Sequence, residues 1–352
     1  MRSFVYESLP TRVLFGVGSL DQLPTEIDRL GCRRALVLAS SSARAEAVVR
    51  RLGSRAAGVY DKAVMHVPVD TARAARDEAR RLDADLSVAV GGGSTIGLAK
   101  AIALETGLPI LAIPTTFSGS EMTPIWGLTE SGAKRTGRDA KVLPRTVIYD
   151  PALTLTLPPT VAGPSGMNAI AHCIEALYAE NANPIVSLMA EEGIRALAES
   201  LPRVVSNPGD VEAHATVLYG AWLAGACLGS VGMALHHKLC HTLGGSFNLP
   251  HAETHTVILP HAAAYNSAAA PEAMRRVQRA LGDAKNAAAG LYALARRLHA
   301  PKALKDLGLQ AGDLDRAADL ATQSPYYNPR PVTREGVRAL LEQAFHGRPP
   351  DG

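Results

Sequence analysis

The sequence predicts an α/β fold: an N-terminal domain built on a parallel β-sheet, residues 1–157, followed by a mainly helical domain, residues 158–352. Up to about residue 157, short apolar runs alternate with amphipathic stretches. From about 164 to 346, Ala and Leu recur at three- and four-residue spacing, and strand-like runs almost vanish. At 352 residues the chain is also longer than one hydrophobic core usually serves, so two domains are expected.

Six short apolar runs of the first domain, rich in Val, Ile and Leu, are predicted strands. They are TRVLFG (11–16), RALVLAS (34–40), AGVYD (57–61), DLSVAV (85–90), PILAIP (109–114) and RTVIYD (145–150). The stretches with helical periodicity between them are ARAEAVVRRL (43–52), DTARAARDEARRLD (70–83) and TIGLAKAIALE (95–105). Strands that alternate with helices in this way predict a parallel sheet covered by helices.

The segment LPPTVAGPSG (157–166) is dense in Pro, Gly and Ser. Because such composition is typical of linkers, it predicts a hinge or domain boundary. The helical second domain follows it.

Composition excludes several classes of protein. The net charge of +3 is small and dispersed, which argues against a nucleic-acid partner. The four cysteines form no CxxC pair, so neither a disulfide framework nor a thiolate zinc site is indicated. The N-terminus has no apolar signal region, and no run of 18 apolar residues occurs, so we expect a cytoplasmic protein that does not bind a membrane.

Two polar turns follow consecutive predicted strands. In AVGGGST (89–95), Gly91, Gly92 and Gly93 would let the backbone approach a phosphate, and Ser94 stands where the next helix begins. The turn after the next strand is TTFSGSE (115–121), and its candidate binding residues are Thr115, Thr116, Ser118 and Ser120. Both turns would lie at the carboxyl edge of the sheet, so a dinucleotide is the predicted ligand. The alternatives are a plain tight turn and simple helix caps, since the GxGxxG spacing is absent.

The segment ALVLASSSAR (35–44), at the end of the second predicted strand, is expected to face the adenosine of such a ligand. Ser40 stands where a carboxylate would exclude a ribose 2′-phosphate, and Arg44 is close enough in sequence to meet one. We therefore expect both NADH and NADPH to be accepted.

Six of the eleven histidines lie between 236 and 261. On a helix, His237 and His241 share a face, and upstream Asn168 and His172 have the same four-residue spacing. His251 follows Pro250 and is predicted in a loop that returns to the same pocket. Two helices and a loop can build a catalytic or metal site in this way, which we expect in a cleft between the domains. His236, His255 and His261 are weaker candidates, because His236 should point away from the His237 face.

These residues together resemble the iron-containing, group III alcohol dehydrogenase superfamily, whose fold is that of dehydroquinate synthase. The resemblance rests on GGGS (91–94), TTFSGSE (115–121), DPALTLTLPP (150–159), SGMNAIAHCIEA (165–176) and the segment from His237 to His251. It implies that His172, His237 and His251 occupy metal-ligand positions. It also implies that His241 occupies the position of a catalytic histidine that does not bind the metal. Asn168 stands where metal-dependent members carry an Asp. Loss of that carboxylate weakens cation binding, so a divalent metal is not expected to be required.

The strings GLTESGAKRTGRDAKVLPRTVIYDPALT (127–154), SGMNAIAHCIEALYAENANP (165–184) and SPYYNPRPV (324–332) look like the branch of this superfamily that reduces maleylacetate to 3-oxoadipate. The resemblance implies a small anionic dicarboxylate as substrate and a homodimer as the assembly. In that reaction His241 would donate the proton, while His172, His237 and His251 would polarise the ketone and hold a carboxylate. Further candidates for the substrate carboxylates are Lys238, Tyr326 and Arg330.

Two alternatives stay open at this point. One is a metal-dependent alcohol or glycerol dehydrogenase of the same superfamily, which Asn168 disfavours. The other is a nucleotide-binding protein without enzymatic activity, which the complete histidine set disfavours.

Overall fold

The computed structural model of the chain describes residues 3–130 and 133–350. The two residues at each end of the chain, which the predicted domains include, lie outside the described residues. Contacts divide the chain into two units, Leu9–Leu157 and Pro158–Gly352. The N-terminal residues up to Ser8 group with the second unit and not with the sheet that follows them.

The first unit contains a six-stranded parallel sheet and a separate two-stranded hairpin. In chain order the strands are β1 Arg12–Phe15, β2 Ala35–Leu38, β3 Ala56–Tyr60, β4 Leu86–Gly91, β5 Ile110–Pro114, β6 Ile125–Glu130, β7 Ala133–Arg138 and β8 Thr146–Tyr149. The parallel sheet has the order β1-β8-β5-β4-β2-β3. Its four inner strands are buried along their whole length, as expected of parallel strands that have helices on both faces. The predicted parallel sheet is confirmed.

Four helices of the first unit connect these strands. They are α1 Leu23–Arg29, α2 Ser42–Leu52, α3 Val69–Arg81 and α4 Gly93–Thr106. Helices α2 and α3 each bury one stripe of small or apolar side chains, which is the periodicity that predicts them. Helix α4 is apolar over most of its circumference and buries Ile96, Leu98, Ala99 and Ile102, so it lies in the interior of the unit.

The hairpin β6–β7 was not predicted from the sequence. Strand β7, AKRTGR, is mostly polar and charged, and the apolar residues of β6, IWGLTE, do not alternate with polar ones as in a typical half-buried strand. The two strands pair along six residues each, and in one pair the indole of Trp126 packs so closely over Gly137 that a Cβ there would lie 2.7 Å from the ring. The close contact makes a glycine necessary in β7.

The second unit is built from helices. In chain order they are α5 Pro159–Leu177, α6 Pro184–Ser206, α7 Val211–Ser230, α8 Leu235–Phe247, α9 His251–Asn266, α10 Pro271–Ala280, α11 Ala287–Arg297, α12 Leu314–Thr322 and α13 Arg334–His346. One hydrophobic cluster joins α8 to α9 and α12, α13. Helix α8 contributes Leu235, Leu239 and Leu243, which repeat every four residues on one face. The histidines of α8 therefore lie beside a face that is fixed by core packing.

The segment 157–166 was predicted as a hinge or a domain boundary, and the two units divide within it, between Leu157 and Pro158. It is not a flexible linker, because helix α5 begins at Pro159. A proline at the first helical position loses no hydrogen bond, and tertiary packing stabilises the rest. Gly166 is required by this packing, since a Cβ there would lie 2.3 Å from a methyl carbon of Leu201 on α6. The small residues of the segment thus allow close helix contact and do not make the chain flexible.

Within the part of the chain that the structure describes, no single helix has both the length and the apolarity to cross a membrane. Helices α7 and α8 reach that length and apolarity only as a pair, and the pair is bent by 95°.

Candidate active site

The glycine turn lies at the carboxyl end of β4, where the sequence predicts it. Strand β4 ends at Gly91 and helix α4 begins at Gly93. Gly91 has a φ of +154° and no space for a side chain, because a Cβ would lie 2.5 Å from Oγ1 of Thr95. Gly92 has no side chain that could cap α4. The Thr95 N–H donates to the Gly92 carbonyl at 3.1 Å, and the N–H groups of Gly93 and Ser94 precede it at the helix start, where an anionic ligand can accept from them.

The second polar turn lies directly beside the first. Strands β4 and β5 are neighbours in register, with Gly91 opposite Pro114. The Thr115 N–H donates to the Gly91 carbonyl at 3.0 Å. A Cβ at Gly92 would be 2.8 Å from Oγ1 of Thr116, and one at Gly93 would be 3.5 Å from Cβ of Ser118. The structure therefore brings the two predicted turns together into one cradle, which we call the glycine cradle (residues 91–94 and 115–118).

A buried lysine that the sequence interpretation missed supports this cradle. The Lys100 ammonium, on α4, donates to the carbonyls of Ser120, Thr123 and Ile125 at 2.6–2.8 Å, and to the Thr123 hydroxyl at 2.9 Å. Burial lowers the pKa of Lys100 to about 7, and nearby Glu121 opposes that effect. Ser120, a predicted cofactor residue, thus serves through its carbonyl to tie the end of the turn to α4.

Ser40 follows β2 and is exposed at the carboxyl side of that strand. Helix α2 begins two residues later, and the Ser42 hydroxyl bonds to the carboxylate of Asp61, which follows β3. Asp61 was not considered in the sequence interpretation. It places one acidic group near the residues predicted to meet the adenosine.

The predicted histidines gather on α5, α8 and α9. The His172 ring is stacked on that of His237, with centroids 5.1 Å apart. His241 lies 6.0 Å from His237 and 6.4 Å from His251. His251 is the first residue of α9 and does not belong to a loop, which corrects the prediction from Pro250. A proline that precedes the first helical residue is equally compatible with a helix start.

His255 and His236 are central to this cluster and not peripheral. His255 lies 4.3 Å from His251 and 5.0 Å from His237, centroid to centroid. Nε2 of His236 is 2.9 Å from Nδ1 of His255, and both residues are fully buried. The expectation that His236 points away from the His237 face overlooked that α9 covers the adjacent face of α8. His261, two turns further along α9, is buried but lies in a different cavity.

A buried carboxylate on α5, Glu175, holds the cluster in place. Its Oε2 lies 2.6 Å from Nδ1 of His237, and it accepts from the N–H of Ala234 at 2.9 Å. Its Oε1 accepts from the N–H of His236 at 2.8 Å. Glu175 therefore caps the N-terminus of α8, which the side chain of Ala234 cannot do. Its negative charge also interacts favourably with the positive end of the helix dipole.

This contact also decides the tautomer of His237. A ring that donates from Nδ1 to a carboxylate carries a lone pair at Nε2 when it is neutral. Sequence reasoning missed Glu175, although one signal was present: it is the only charged residue of α5, three residues after His172. A single charge in an apolar helix calls for a partner.

Several buried polar atoms of the cluster make no hydrogen bond within the described chain. In the described chain, Oδ1 of Asn168, Nδ1 of His172 and Nε2 of His237 are buried and have no hydrogen-bond partner. Burial lowers the pKa of His172 well below its usual range, and His237, His251 and His241 lower it further. His172 is therefore a neutral ring at pH 7. A buried polar group without a partner is costly, so such a set is typical of a binding site.

The three residues predicted as weaker candidates for binding the substrate carboxylates lie in two different places in the structure. The Lys238 ammonium, on α8, lies 5.8 Å from the centroid of the Tyr326 ring. Burial raises the pKa of Tyr326. Arg330 instead lies over Tyr265 at 4.1 Å, donates to its carbonyl and lines a cavity of about 270 Å³ with His261. The structure thus gives Arg330 surroundings other than the histidine cluster.

Comparison with known proteins agrees with this architecture. A family profile described as iron-containing alcohol dehydrogenase matches residues 10–151, and the C-terminal profile of the Fe-containing alcohol dehydrogenase family matches residues 162–345. The chain is 59% identical over 349 residues to maleylacetate reductase of Burkholderia cepacia, which covers 99% of both chains. Crystal structures of maleylacetate reductases from Agrobacterium tumefaciens and a Rhizobium species superimpose with TM-scores of 0.95 and 0.94, each at 52% identity over 99% of this chain and 100% of the other.

Replacing Gly93 by Ala tests the glycine cradle. The new methyl group would meet Ser118 at an ordinary contact distance, so the variant should fold, but it would lie in front of the α4 N-terminus. We expect the KM for the dinucleotide to rise by about 10-fold because the phosphates can no longer approach closely. Gly312→Ala is the control, since nothing lies within 4 Å of its Cβ position. An unchanged KM in folded Gly93→Ala would contradict the assignment.

Replacing Glu175 by Gln tests the buried carboxylate. The amide nitrogen would face N–H donors on one side, so we expect a loss of about 2–3 kcal/mol in the free energy of unfolding. Turnover should fall by roughly 10-fold, because the His237 ring loses its orienting partner. Denaturant titration and steady-state kinetics measure the two effects. Glu180→Gln, which changes an exposed carboxylate close by in the sequence, should alter neither quantity. If both variants behave alike, Glu175 has no such role.

Proposed function

The chain belongs to the iron-containing alcohol dehydrogenase family, and from that premise we infer that it reduces maleylacetate to 3-oxoadipate with a nicotinamide dinucleotide. The observation that carries this proposal is the likeness to maleylacetate reductases along the whole chain. The substrate is an unsaturated oxo-dicarboxylate. Hydride addition to its conjugated double bond creates an enolate, which then takes a proton at carbon. The site must therefore stabilise an anionic oxygen and supply a proton.

We propose the glycine cradle as the binding site of the dinucleotide, which supplies the hydride when bound. The pyrophosphate of the dinucleotide would accept hydrogen bonds from the uncapped N–H groups at the start of α4. Ser40 carries no charge that would repel a 2′-phosphate, and Arg44 is close to it in sequence. We propose that either NADH or NADPH serves, with Asp61 as the acidic group that opposes the phosphate.

The histidines are proposed to act as hydrogen-bonding groups and not as a set of cations. The low pKa of His172, caused first by burial, keeps that ring neutral, so it would contribute a hydrogen bond to the substrate. His237 would face the substrate with Nε2, since Glu175 holds its Nδ1. That nitrogen accepts a hydrogen bond in the neutral ring and donates one to the substrate oxygen when the ring is protonated and paired with Glu175. His251, on the next helix, completes the set that polarises the ketone. Lys238 and Tyr326 are the proposed partners of a substrate carboxylate.

His241 is the proposed proton donor. It is exposed, whereas His172 and His237 are buried, so its ring can exchange protons with solvent between turnovers. Its distance to the His237 and His251 rings places it beside the groups that would hold the substrate. A general acid needs both access to protons and proximity to the reacting carbon.

The residues at the family's metal-ligand positions do not suit iron. The set of Asn168, His172, His237 and His251 offers a neutral amide and three imidazoles, and Oδ1 of Asn168 has no partner among the described residues. Without an anionic donor, a hard or borderline cation is bound weakly. We propose a reaction that needs no metal at these positions.

The homodimer expected from the sequence stays a prediction, as does a cytoplasmic location.

The assay that tests this function follows NADH oxidation with maleylacetate before and after exhaustive chelation. We expect the same rate in both, because hydrogen bonds and not a cation stabilise the enolate. Simple alcohols with NAD⁺ serve as the comparison and should give little turnover. Activity that disappears on chelation and returns with added iron or zinc would favour the metal-dependent alcohol dehydrogenase instead.

Replacing His241 by Ala should lower kcat by about 10²-fold and leave the KM for the dinucleotide nearly unchanged, since the proton donor is lost while the cradle is intact. His346→Ala removes another surface imidazole, one that pairs with Glu342, and is the matched control with normal kcat. A His241→Ala enzyme with wild-type kcat would show that the proton comes from elsewhere.

A further inference from the structure

Three donor atoms that the proposed reaction does not use converge within the histidine cluster, two of them from histidines and one from a cysteine. They are Nε2 of His236, Sγ of Cys240 and Nδ1 of His255, and all lie within 4.8 Å of one another. His236 and Cys240 are one turn apart on α8, and His255 faces them from α9. All three side chains are buried, with at most 1% of each residue exposed.

The spacing of these atoms is close to that around a tetrahedral ion. Zinc–nitrogen and zinc–sulfur bonds of about 2.1 and 2.3 Å place two nitrogens roughly 3.3 Å apart and a nitrogen and a sulfur roughly 3.6 Å apart. The observed Sγ to Nε2 distance is 3.7 Å, and the Nε2 to Nδ1 distance is 2.9 Å. The third pair, Sγ and Nδ1, lies within 4.8 Å, so an ion would fit after the two imidazoles separate and turn their ring nitrogens toward it.

We propose that His236, Cys240 and His255 form a buried binding site for a zinc ion. One thiolate and two imidazoles are a donor set that suits zinc and disfavours magnesium or calcium, which prefer oxygen. The site shares no residue with Asn168, His172, His237 and His251. It also does not depend on which reaction the enzyme catalyses.

The proton balance of binding is simple. In the free site one proton lies in the hydrogen bond between His236 and His255, and Cys240 is a thiol. When zinc takes the lone pairs of Nε2, Nδ1 and Sγ, the shared proton moves to an outer ring nitrogen and the thiol proton leaves to solvent. One proton is released per ion, and no oxidant or reductant is needed. The ion would join α8 to α9.

Cobalt(II) is the probe for this site, because thiolate coordination gives an intense near-ultraviolet absorption that an imidazole-only site lacks. Full-length protein, reduced and stripped of metal, should develop that absorption and saturate at one cobalt per chain. Added zinc should displace the cobalt and raise the unfolding temperature. Because absorption and not turnover is measured, the result is independent of the proposed function.

Cys240→Ser and Cys240→Ala should both abolish the absorption, and two replacements guard against one that fails to fold. Cys173→Ser removes another buried thiol and should leave the absorption intact. His172→Ala should also retain it, because His172 is not one of the donors. No thiolate absorption in the native protein, or one that persists without Cys240, would overturn the proposal.

Discussion

The carboxylate of Glu175 is the contact on which the histidine cluster depends. It comes from α5, yet it satisfies the first N–H groups of α8 and the Nδ1 of His237 together. One buried charge thereby sets where α8 begins, how that helix is rotated against α5, and which nitrogen of His237 faces outward. A buried carboxylate without these donors would be strongly destabilising, so helix packing and ring orientation are specified together.

The core of the helical unit enforces the same arrangement from the opposite side. Leu235, Leu239 and Leu243 repeat every four residues and pack into the cluster shared with α9. This leaves the neighbouring face of α8 for His236 and His237. The site histidines are therefore held by three packed helices, α5, α8 and α9, and small errors in ring position are suppressed.

The sequence predicted the parallel sheet well because its inner strands are buried on both faces and read as unbroken apolar runs. It failed where tertiary contacts override local preference. Pro159 and Gly166 resemble linker residues but allow α5 to pack tightly, and the β6–β7 pair includes a close contact between an indole and a glycine that no periodicity indicates. In the site, the four-residue spacing located His172, His237 and His241. It could not reveal Glu175 or the pairing of His236 with His255, since both arise between helices.

The packing of Trp126 over Gly137 has a practical consequence for following how the protein unfolds. The chain contains two tryptophans, and the other, Trp222, lies on α7 of the helical unit beside Tyr219. Each unit thus carries one tryptophan. Replacing either indole with Phe yields a chain whose tryptophan emission comes from a single unit, so the cooperativity of the two units can be followed without an added label.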